Sequence, residues 1–266
     1  MDRECEYLKL VISAIAVSEV YRPKLGHGGK GYSQKEFQAF YAADPFYSWI
    51  GLNSPLMYAA LKAAGGMTSV YRQVGIGCER LFRRLLRDHL GLTAEESTWS
   101  YTLPPDARGR TRRLTLDGRI PSSAIGDSER KAVVDDWLTR VGQELDIAPG
   151  SMEHKFGAVF EVRQGYKSKD SKRQNADISN AANAHAHDYL PVIAVFSMQM
   201  DGDLIKRYRE NRILVLTGNL SDSDVSSTYA FCKKVIGYDL AAFFEQNAEA
   251  LKKQIGEVLE ALLSPQ

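Results

Sequence analysis

A dense run of mixed charges follows an apolar stretch in the middle of the chain. The apolar residues GAVF lead into EVRQGYKSKDSKRQNAD, which spans residues 161–177. If GAVFEVRQ is a strand, its side chains alternate between two faces, so Glu161 and Arg163 project from the same sheet surface. A carboxylate beside a cation suits metal-dependent hydrolysis of a phosphodiester, in which acids hold a divalent ion and a polar group orients the attacking water. An ordinary ion pair on the sheet surface is the alternative, and the pair taken alone slightly favours it.

A second acid, Asp117, lies inside the predicted strand RLTLDGRI of residues 113–120. A carboxylate flanked by Leu116 and Ile120 is costly to bury unless it is paired or bound to a metal. Asp117 is therefore a candidate partner for Glu161 in a metal site. The alternative is an acid at the first position of an Asp-Gly turn.

Apolar periodicity and turn signals predict the elements that position these residues. The first third of the chain is predicted to be helical, with helices over residues 6–19, 55–64 and 68–90 and with Gly91 as the C-cap of the last one. A hairpin follows, with strands over residues 98–103 and 113–120 joined by the arginine-rich turn PPDARGRTR. Asp127 is the expected N-cap of a helix over residues 127–145.

Short apolar strands alternate with helices in the rest of the chain. After GAVFEVRQ we predict a helix over 171–189, strands PVIAVFSM and RILVLTG with a helix over 203–209 between them, and a helix over 240–263. This pattern indicates an α/β fold with a mixed central β-sheet flanked by helices. We expect a helical N-terminal region over residues 1–91, packed on an α/β core over residues 92–266, in one compact domain. A central strand that ends in charged residues is where such folds usually place a site.

Composition argues against several classes of protein. The 34 Lys and Arg balance 33 Asp and Glu, so attraction to a polyanion must come from local clusters of charge. Three widely spaced cysteines without CxxC spacing disfavour a disulfide framework and a zinc site, which predicts a cytoplasmic protein. The apolar run LKLVISAIAV is too short to span a bilayer, so we expect neither a membrane helix nor a signal peptide.

The order of the chemistry-bearing residues resembles the PD-(D/E)XK nuclease pattern. Asp117 is followed, after a gap of about forty residues, by the Glu161-x-Arg163 pair and then by a polar helix start. The chain is similar in particular to type II restriction endonucleases of the CCGG-recognising group, which follow the catalytic strand with a motif such as R-S-D-R or R-E-R. In those enzymes a helix then begins with Gln and carries another acid after its first turns. The segment KSKDSKRQNAD supplies the same sequence of chemistries with Lys169, Asp170, Lys172, Arg173, Gln174, Asn175 and Asp177.

The resemblance implies a restriction-endonuclease-like fold and Mg²⁺-dependent, sequence-specific cleavage of both strands of double-stranded DNA. It implies that Asp117, Glu161 and Asp177 hold the metal. It also implies a further candidate metal ligand beside the site, Glu79, on an early helix in the segment GIGCERLFRR, although a glutamate next to several arginines is more often part of a solvated helix face.

The chain departs from the family pattern at two positions. Leu116 stands where the family has a proline, and Arg163 stands where it has the catalytic lysine. Either Arg163 replaces that lysine, or Lys167 reaches back to the site.

Recognition of DNA is expected from two basic segments. Residues 169–175 would read bases, because cations donate to guanine O6 and N7, an acid accepts from cytosine N4, and a helix N-terminus can enter the major groove. The hairpin residues Arg108, Arg110, Arg112 and Arg113 would contact phosphates. A symmetric DNA site is read by a two-fold symmetric protein, so we expect a homodimer, with a cognate DNA methyltransferase as its genetic partner.

Three alternatives stay open at this point. One is another nuclease of the same superfamily, such as a repair or structure-selective enzyme. Another is a non-catalytic DNA- or RNA-binding protein that uses the same basic helix start. The third is an α/β protein whose charged loop is only solvated.

Overall fold

The computed structural model describes residues 2–25, 30–103, 105, 108–152, 155–166 and 171–264. The chain divides into two compact units, one of Met1–Gly77 with Gln246–Gln266 and one of Cys78–Glu245. The sequence predicts a boundary at residues 91/92 instead, and that assignment of domains stays a prediction. Within the described ranges, no helix combines the length and apolarity that crossing a membrane requires.

Helices dominate both ends of the described chain, and strands occupy its middle. The helices are α1 Arg3–Ala16, α2 Gln34–Ala42, α3 Pro45–Trp49, α4 Pro55–Leu90, α5 Ser128–Glu144, α6 Pro149–Met152, α7 Ser171–Ala186, α8 Gly202–Glu210, α9 Thr228–Phe231, α10 Leu240–Gln246 and α11 Ala248–Leu263. The strands are β1 Trp99–Leu103, β2 Arg112–Leu116, β3 Gly118–Pro121, β4 Gly157–Arg163, β5 Tyr189–Val195 and β6 Leu214–Leu216. A 3-10 turn at Ser122–Ala124 and a π-helical turn at Cys232–Ile236 complete them.

The first unit is helical, and polar side chains cap its helices. The Asp2 carboxylate accepts from the N–H of Glu4 at the start of α1, and Ser33 forms a capping box with Glu36 at the start of α2. α2 and α3 are absent from the helices predicted above, although the Ser33-x-x-Glu36 spacing is typical of a helix start.

A single helix, α4, replaces the two helices predicted over residues 55–64 and 68–90, so that prediction is wrong. The gap between them falls at Gly65 and Gly66. A Cβ at Gly65 would lie 2.0 Å from the hydroxyl oxygen of Tyr21, and a Cβ at Gly66 would lie 2.4 Å from Leu262 Cδ2. These glycines therefore allow close packing of side chains on a continuous helix. The single helix predicted over residues 240–263 is also wrong, because the chain forms α10 and α11 there.

The second unit contains a four-stranded sheet in the order β3-β4-β5-β6. β3 is antiparallel to β4, whereas β4, β5 and β6 run parallel. The hairpin of β1 and β2 is a separate, two-stranded antiparallel sheet. The predicted α/β class with a mixed sheet is confirmed. Its restriction-endonuclease-like character stays a prediction.

Aromatic side chains fill the core on one face of the larger sheet. Phe160 of β4 packs against Phe82 of α4 and Phe231 of α9, with ring centroids 5.1 and 5.5 Å apart. Trp137 of α5 lies 4.7 Å from Phe231, and α5 begins at its predicted N-cap, because the Asp127 carboxylate accepts from two backbone N–H groups. All four rings are fully buried.

Helices α7 and α8 cover the opposite face. Ile193 and Val195 of β5 share a buried cluster with Ala181 of α7 and with Leu204 and Tyr208 of α8. Side chains alternate along β4, so Glu161 and Arg163 lie on this second face, opposite to Phe160. Both residues therefore lie on the side of the sheet where α7 begins.

The strand predicted over residues 113–120 is interrupted at Asp117. The prediction that Asp117 lies inside a strand is therefore wrong. Leu116 ends β2 and Gly118 begins β3, and the two strands belong to different sheets. Asp117 donates its own N–H to Phe160 O at 3.0 Å, which ties the bend to β4. Gly118 lies against Phe82 and Leu86, where a Cβ would approach both side chains to 3.2 Å. The bend therefore sets the Asp117 carboxylate beside β4.

Candidate active site

Arg163 lies among three carboxylates, and we call these four residues the carboxylate cluster. Its Nη2 pairs with Glu161 Oε1 and donates to Asp177 Oδ1 at 3.1 Å, while its Nη1 lies 3.9 Å from Asp117 Oδ2. The side chains are 3% to 18% exposed, with Asp177 the most buried. Four of the residues that the sequence singles out are thus brought together at the carboxyl end of β4.

Three separate elements position the cluster. Glu161 and Arg163 come from one face of β4, and Asp177 comes from the second turn of α7. The Asp117 carboxylate accepts from the backbone N–H of Val162 at 2.8 Å, so β4 itself holds the acid at the bend. Because β4 carries two residues of the cluster and α7 carries a third, the geometry of the cluster depends on the packing of α7 against the sheet.

Two buried tyrosines hold Asp177 from the other side. Tyr166 Oη and Tyr208 Oη donate to Asp177 Oδ2 at 2.9 and 2.8 Å, and the two hydroxyls lie 2.8 Å apart. With Arg163 on Oδ1, both carboxylate oxygens of Asp177 are engaged. Asp177 therefore anchors Arg163 and the tyrosines, a different arrangement from the open metal ligand that the sequence suggests.

Burial raises the pKa of two of the acids. The pKa of Asp117 rises to about 6, first through loss of solvent and then through the negative charge of Glu79, although the Val162 N–H, Arg163 and Arg83 oppose the rise. The pKa of Glu161 rises to about 7 through burial and through repulsion from Asp117 and Asp177, against the attraction of Arg163. One arginine therefore does not fully compensate the negative charge that the cluster confines.

The Arg163 guanidinium is held in its charged form. Burial alone would lower its pKa, but Glu161, Asp177 and Asp117 together outweigh that effect and raise it. Its Nε is buried and makes no hydrogen bond to any residue that the structure describes.

An ion pair from α4 borders the cluster. Arg83 Nη2 donates to Glu79 Oε1 at 2.8 Å, and Arg83 Nε donates to the backbone carbonyl of Asp117 at 2.8 Å. Glu79, predicted as a further acid beside the site, acts there through its charge on Asp117 and is itself about 30% exposed.

The predicted base-reading residues lie at the start of α7. Lys172, Arg173 and Asn175 are exposed, Gln174 is half-buried, and the Arg173 guanidinium lies 5.7 Å from the centroid of the Tyr166 ring. Lys167, Lys169 and Asp170 fall outside the described residues. The choice between Arg163 and Lys167 for the lysine role therefore stays open, although Arg163 occupies the cluster.

The hairpin that carries the predicted phosphate-binding arginines packs against α7. Arg108, Arg110 and Arg112 are exposed. The hairpin is fixed through Tyr101, whose hydroxyl donates to Asn180 Oδ1 of α7 at 2.6 Å, and through Trp99, which packs in a buried cluster with Ala184.

The chemistry of the donor set decides whether a divalent cation fits. In the described part of the chain, no three His, Cys, Asp or Glu side chains lie close enough to hold a metal ion together. Asp117, Glu161 and Asp177 against Arg163 nevertheless leave three acids to one cation, a formal excess of two negative charges. Carboxylate oxygens are the ligands that Mg²⁺ prefers, and the raised pKa values of Asp117 and Glu161 mark charge that a cation would offset. These two acids fit such an ion, whereas Asp177 has its oxygens engaged.

No protein-family model, curated protein or solved structure matches this chain significantly. The chemistry of the carboxylate cluster is thus the basis on which a function is assigned.

Several residues that complete the site are not predicted by any sequence pattern. Tyr166, Tyr208, Arg83 and Arg207 all bond to residues that the sequence does single out. An isolated tyrosine or arginine carries no local signal of such a role. The one available sign is the pattern KRYR of residues 206–209, at the end of the helix predicted over residues 203–209, which places a tyrosine between two arginines.

Proposed function

We propose that the protein is a Mg²⁺-dependent type II restriction endonuclease that hydrolyses phosphodiester bonds in a specific sequence of double-stranded DNA. The observation that carries the proposal is the convergence of Asp117, Glu161 and Arg163 at the carboxyl end of β4. Their order along the chain resembles the PD-(D/E)XK pattern, and the mixed sheet with helices on both faces is consistent with it.

Asp117 and Glu161 hold the cation in this proposal. When bound, Mg²⁺ supplies the positive charge that polarises a scissile phosphodiester. Asp117 is suited to this role because the bend and the Val162 N–H fix its carboxylate, and Glu161 because it projects from the end of β4. Both acids carry raised pKa values, which a bound cation would lower again.

Arg163 takes the place of the family lysine and contacts the scissile phosphate or orients the attacking water. Asp177 positions it, and the Tyr166 and Tyr208 hydroxyls fix Asp177 in turn. A buried guanidinium held this way keeps its charge at every pH of interest.

Recognition of DNA is assigned to the start of α7 and to the hairpin. Residues 172–175 would reach base edges beside the cut, and Arg108, Arg110 and Arg112 would contact phosphates. We propose a homodimer, because a palindromic site presents the same half-site to each protomer, and a cognate DNA methyltransferase that protects the host. Such an enzyme acts on DNA in the cytoplasm, the setting that Cys5, Cys78 and Cys232, free thiols in the structure, also favour.

A second candidate is a non-catalytic nucleic-acid-binding protein. The specific observation in its favour is that Arg163 itself bridges the acids, an arrangement that stabilises the fold without any metal. The two candidates differ in one measurable property, since binding by this second kind of protein persists in EDTA and no cleavage follows addition of Mg²⁺ or Mn²⁺.

Digestion of unmethylated phage DNA tests the proposal. With Mg²⁺ we expect discrete fragments, and with EDTA none; a smear would instead favour a repair or structure-selective nuclease of the same superfamily. Asp117→Ala should reduce cleavage by roughly a hundredfold or more while leaving specific binding in place. The matched control is Asp136→Ala, which removes an exposed acid that pairs with Arg140 on α5. Undiminished cleavage by Asp117→Ala would exclude the assigned site.

A further inference from the structure

Arg207 of α8 holds the side-chain amides of two consecutive residues at the start of α7. Its Nη1 donates to Gln174 Oε1 at 2.6 Å, and its Nη2 donates to Asn175 Oδ1 at 2.8 Å. A guanidinium carries donors and no acceptor, so it selects the oxygen of each amide and fixes which way the amide faces. The two NH₂ groups must therefore face away from Arg207. Neither amide nitrogen bonds to a residue that the structure describes.

This orientation restricts what the two amides can recognise. Asn or Gln reads adenine by accepting from its N6 and donating to its N7 with the same amide, which requires the carbonyl oxygen to be available. In this protein each amide oxygen is turned toward Arg207 and already accepts a bond from it, so the groups that the two amides present away from Arg207 are their NH₂ donors. The partners that suit donors only are groups with acceptors and no donor. In the major groove these are the N7 and O6 edge of guanine, which offers two acceptors side by side, and the single O4 acceptor of thymine; the phosphate oxygens also qualify.

The pair lies close to the carboxylate cluster. Gln174 precedes Asp177 by three residues, which places the two side chains on the same side of α7, one turn apart. Arg207 is followed directly by Tyr208, whose hydroxyl holds Asp177. One short stretch of α8 thus orients the amides and, through the next residue, the acid that anchors Arg163.

We propose that Arg207 fixes Gln174 and Asn175 as a donor-only pair that binds acceptor-only groups of DNA and selects against adenine. The inference rests on the proposed action on DNA, but it concerns binding alone. It assigns Arg207 as a specificity-determining residue that acts through the two amides.

Two kinds of variant test the amide donors and the Arg207 side chain separately. Gln174→Glu and Asn175→Asp each keep an oxygen for Arg207 and remove the outward N–H groups, so each should weaken binding about tenfold or more. Arg207→Met frees both amides to turn and should let adenine replace guanine. Arg209→Met is the matched control, because it removes the same charge from the same helix and, among the residues that the structure describes, breaks just the pair with Glu144.

The probe is a pool of random-sequence duplex DNA, selected by binding to the full-length protein in EDTA and again with Ca²⁺, and then sequenced. Guanine enrichment that is lost when 7-deazaguanine replaces guanine identifies the base edge as the partner. Uniform weakening of the Glu and Asp variants on every sequence, without base preference in the wild type, identifies the phosphates.

Three results would overturn the inference: adenine enrichment by the wild-type protein, identical behaviour of Arg207→Met and Arg209→Met, or no binding of DNA. Absence of cleavage with Mg²⁺ would count against the nuclease alone, because the selection does not depend on cleavage. Circular dichroism of each variant checks that the fold is retained.

Discussion

The hydroxyl of Tyr208 donates a hydrogen bond of 2.8 Å to Oδ2 of Asp177 and so connects α8 to the carboxylate cluster. The other oxygen of Asp177, Oδ1, accepts from Arg163 Nη2 at 3.1 Å, so a restraint on Asp177 also restrains Arg163. A side chain on a surface helix thereby fixes the one cation of a buried cluster that holds three acids.

Replacing Tyr208 with Phe tests this connection. The variant loses one bond to a carboxylate, so we expect a loss of about 1.5 to 3 kcal/mol in the free energy of unfolding. Cleavage per folded molecule should fall as well, because Arg163 loses part of its support. Tyr229→Phe is the control: its hydroxyl donates to Phe196 O at 2.9 Å in the same unit, away from the cluster. Equal cleavage by the two variants would contradict a positioning role for Tyr208.

Substitutions of Arg163 test whether it takes the place of the family's catalytic lysine. Arg163→Lys keeps a charge and we expect it to fold and to retain part of the activity, whereas Arg163→Met leaves three acids without their cation. Removing one partner of a buried ion pair costs about 3 to 5 kcal/mol, which urea denaturation can measure. If Arg163→Lys and Arg163→Met were equally stable, the guanidinium would not be what compensates the acids.

The pH dependence of stability should reveal the uncompensated charge. The pKa values of Asp117 and Glu161 rise from 3.8 and 4.5 to about 6 and about 7 in the folded protein. Between those values the folded state binds more protons than the unfolded chain. The contribution of these two acids to stability is therefore fully present below their unfolded pKa values, and it is lost as pH rises through their folded pKa values. In EDTA we expect the free energy of unfolding to fall by roughly 5 to 6 kcal/mol between about pH 4 and pH 8.

Addition of Mg²⁺ at pH 8 should recover part of that stability, because both acids are then ionised and available as ligands. Asp117→Asn should show a flatter pH profile and a smaller gain with Mg²⁺. Urea titrations at several pH values provide the comparison. If Mg²⁺ left the pH dependence of stability unchanged, and the wild-type protein and Asp117→Asn gave the same curve, a cation site at these acids would be excluded.

Contacts between the hairpin and phosphates predict a salt effect. Arg112→Gln removes an exposed cation of β2, so binding should weaken about equally for all sequences, and the slope of log K against log salt should become shallower by about 0.9. Lys253→Gln, an exposed cation of α11, serves as the control. An unchanged slope in Arg112→Gln would place the phosphate contacts elsewhere.

Local patterns in the sequence predict a good part of this structure. The apolar run GAVFEVRQ forms β4, the Asp127 cap starts α5, and the helix predicted from residue 171 begins there as α7. Predictions fail where packing overrides a local signal. α4 continues through Gly65 and Gly66 because other side chains pack against them, and the strand over residues 113–120 bends at Asp117 because its two halves join different sheets.

The placement of Glu161 and Arg163 on one face of β4 follows from local sequence, since alternation along a strand requires no other part of the chain. Local sequence also determines the types of charge that precede and begin α7. Local sequence does not predict that three acids share Arg163, that both oxygens of Asp177 are engaged, or that Arg207 orients Gln174 and Asn175. These contacts join residues that are far apart in sequence, Asp117 with Arg163 and Gln174 with Arg207 among them, so they form only once the bend at Asp117 and the helices α7 and α8 pack against the sheet.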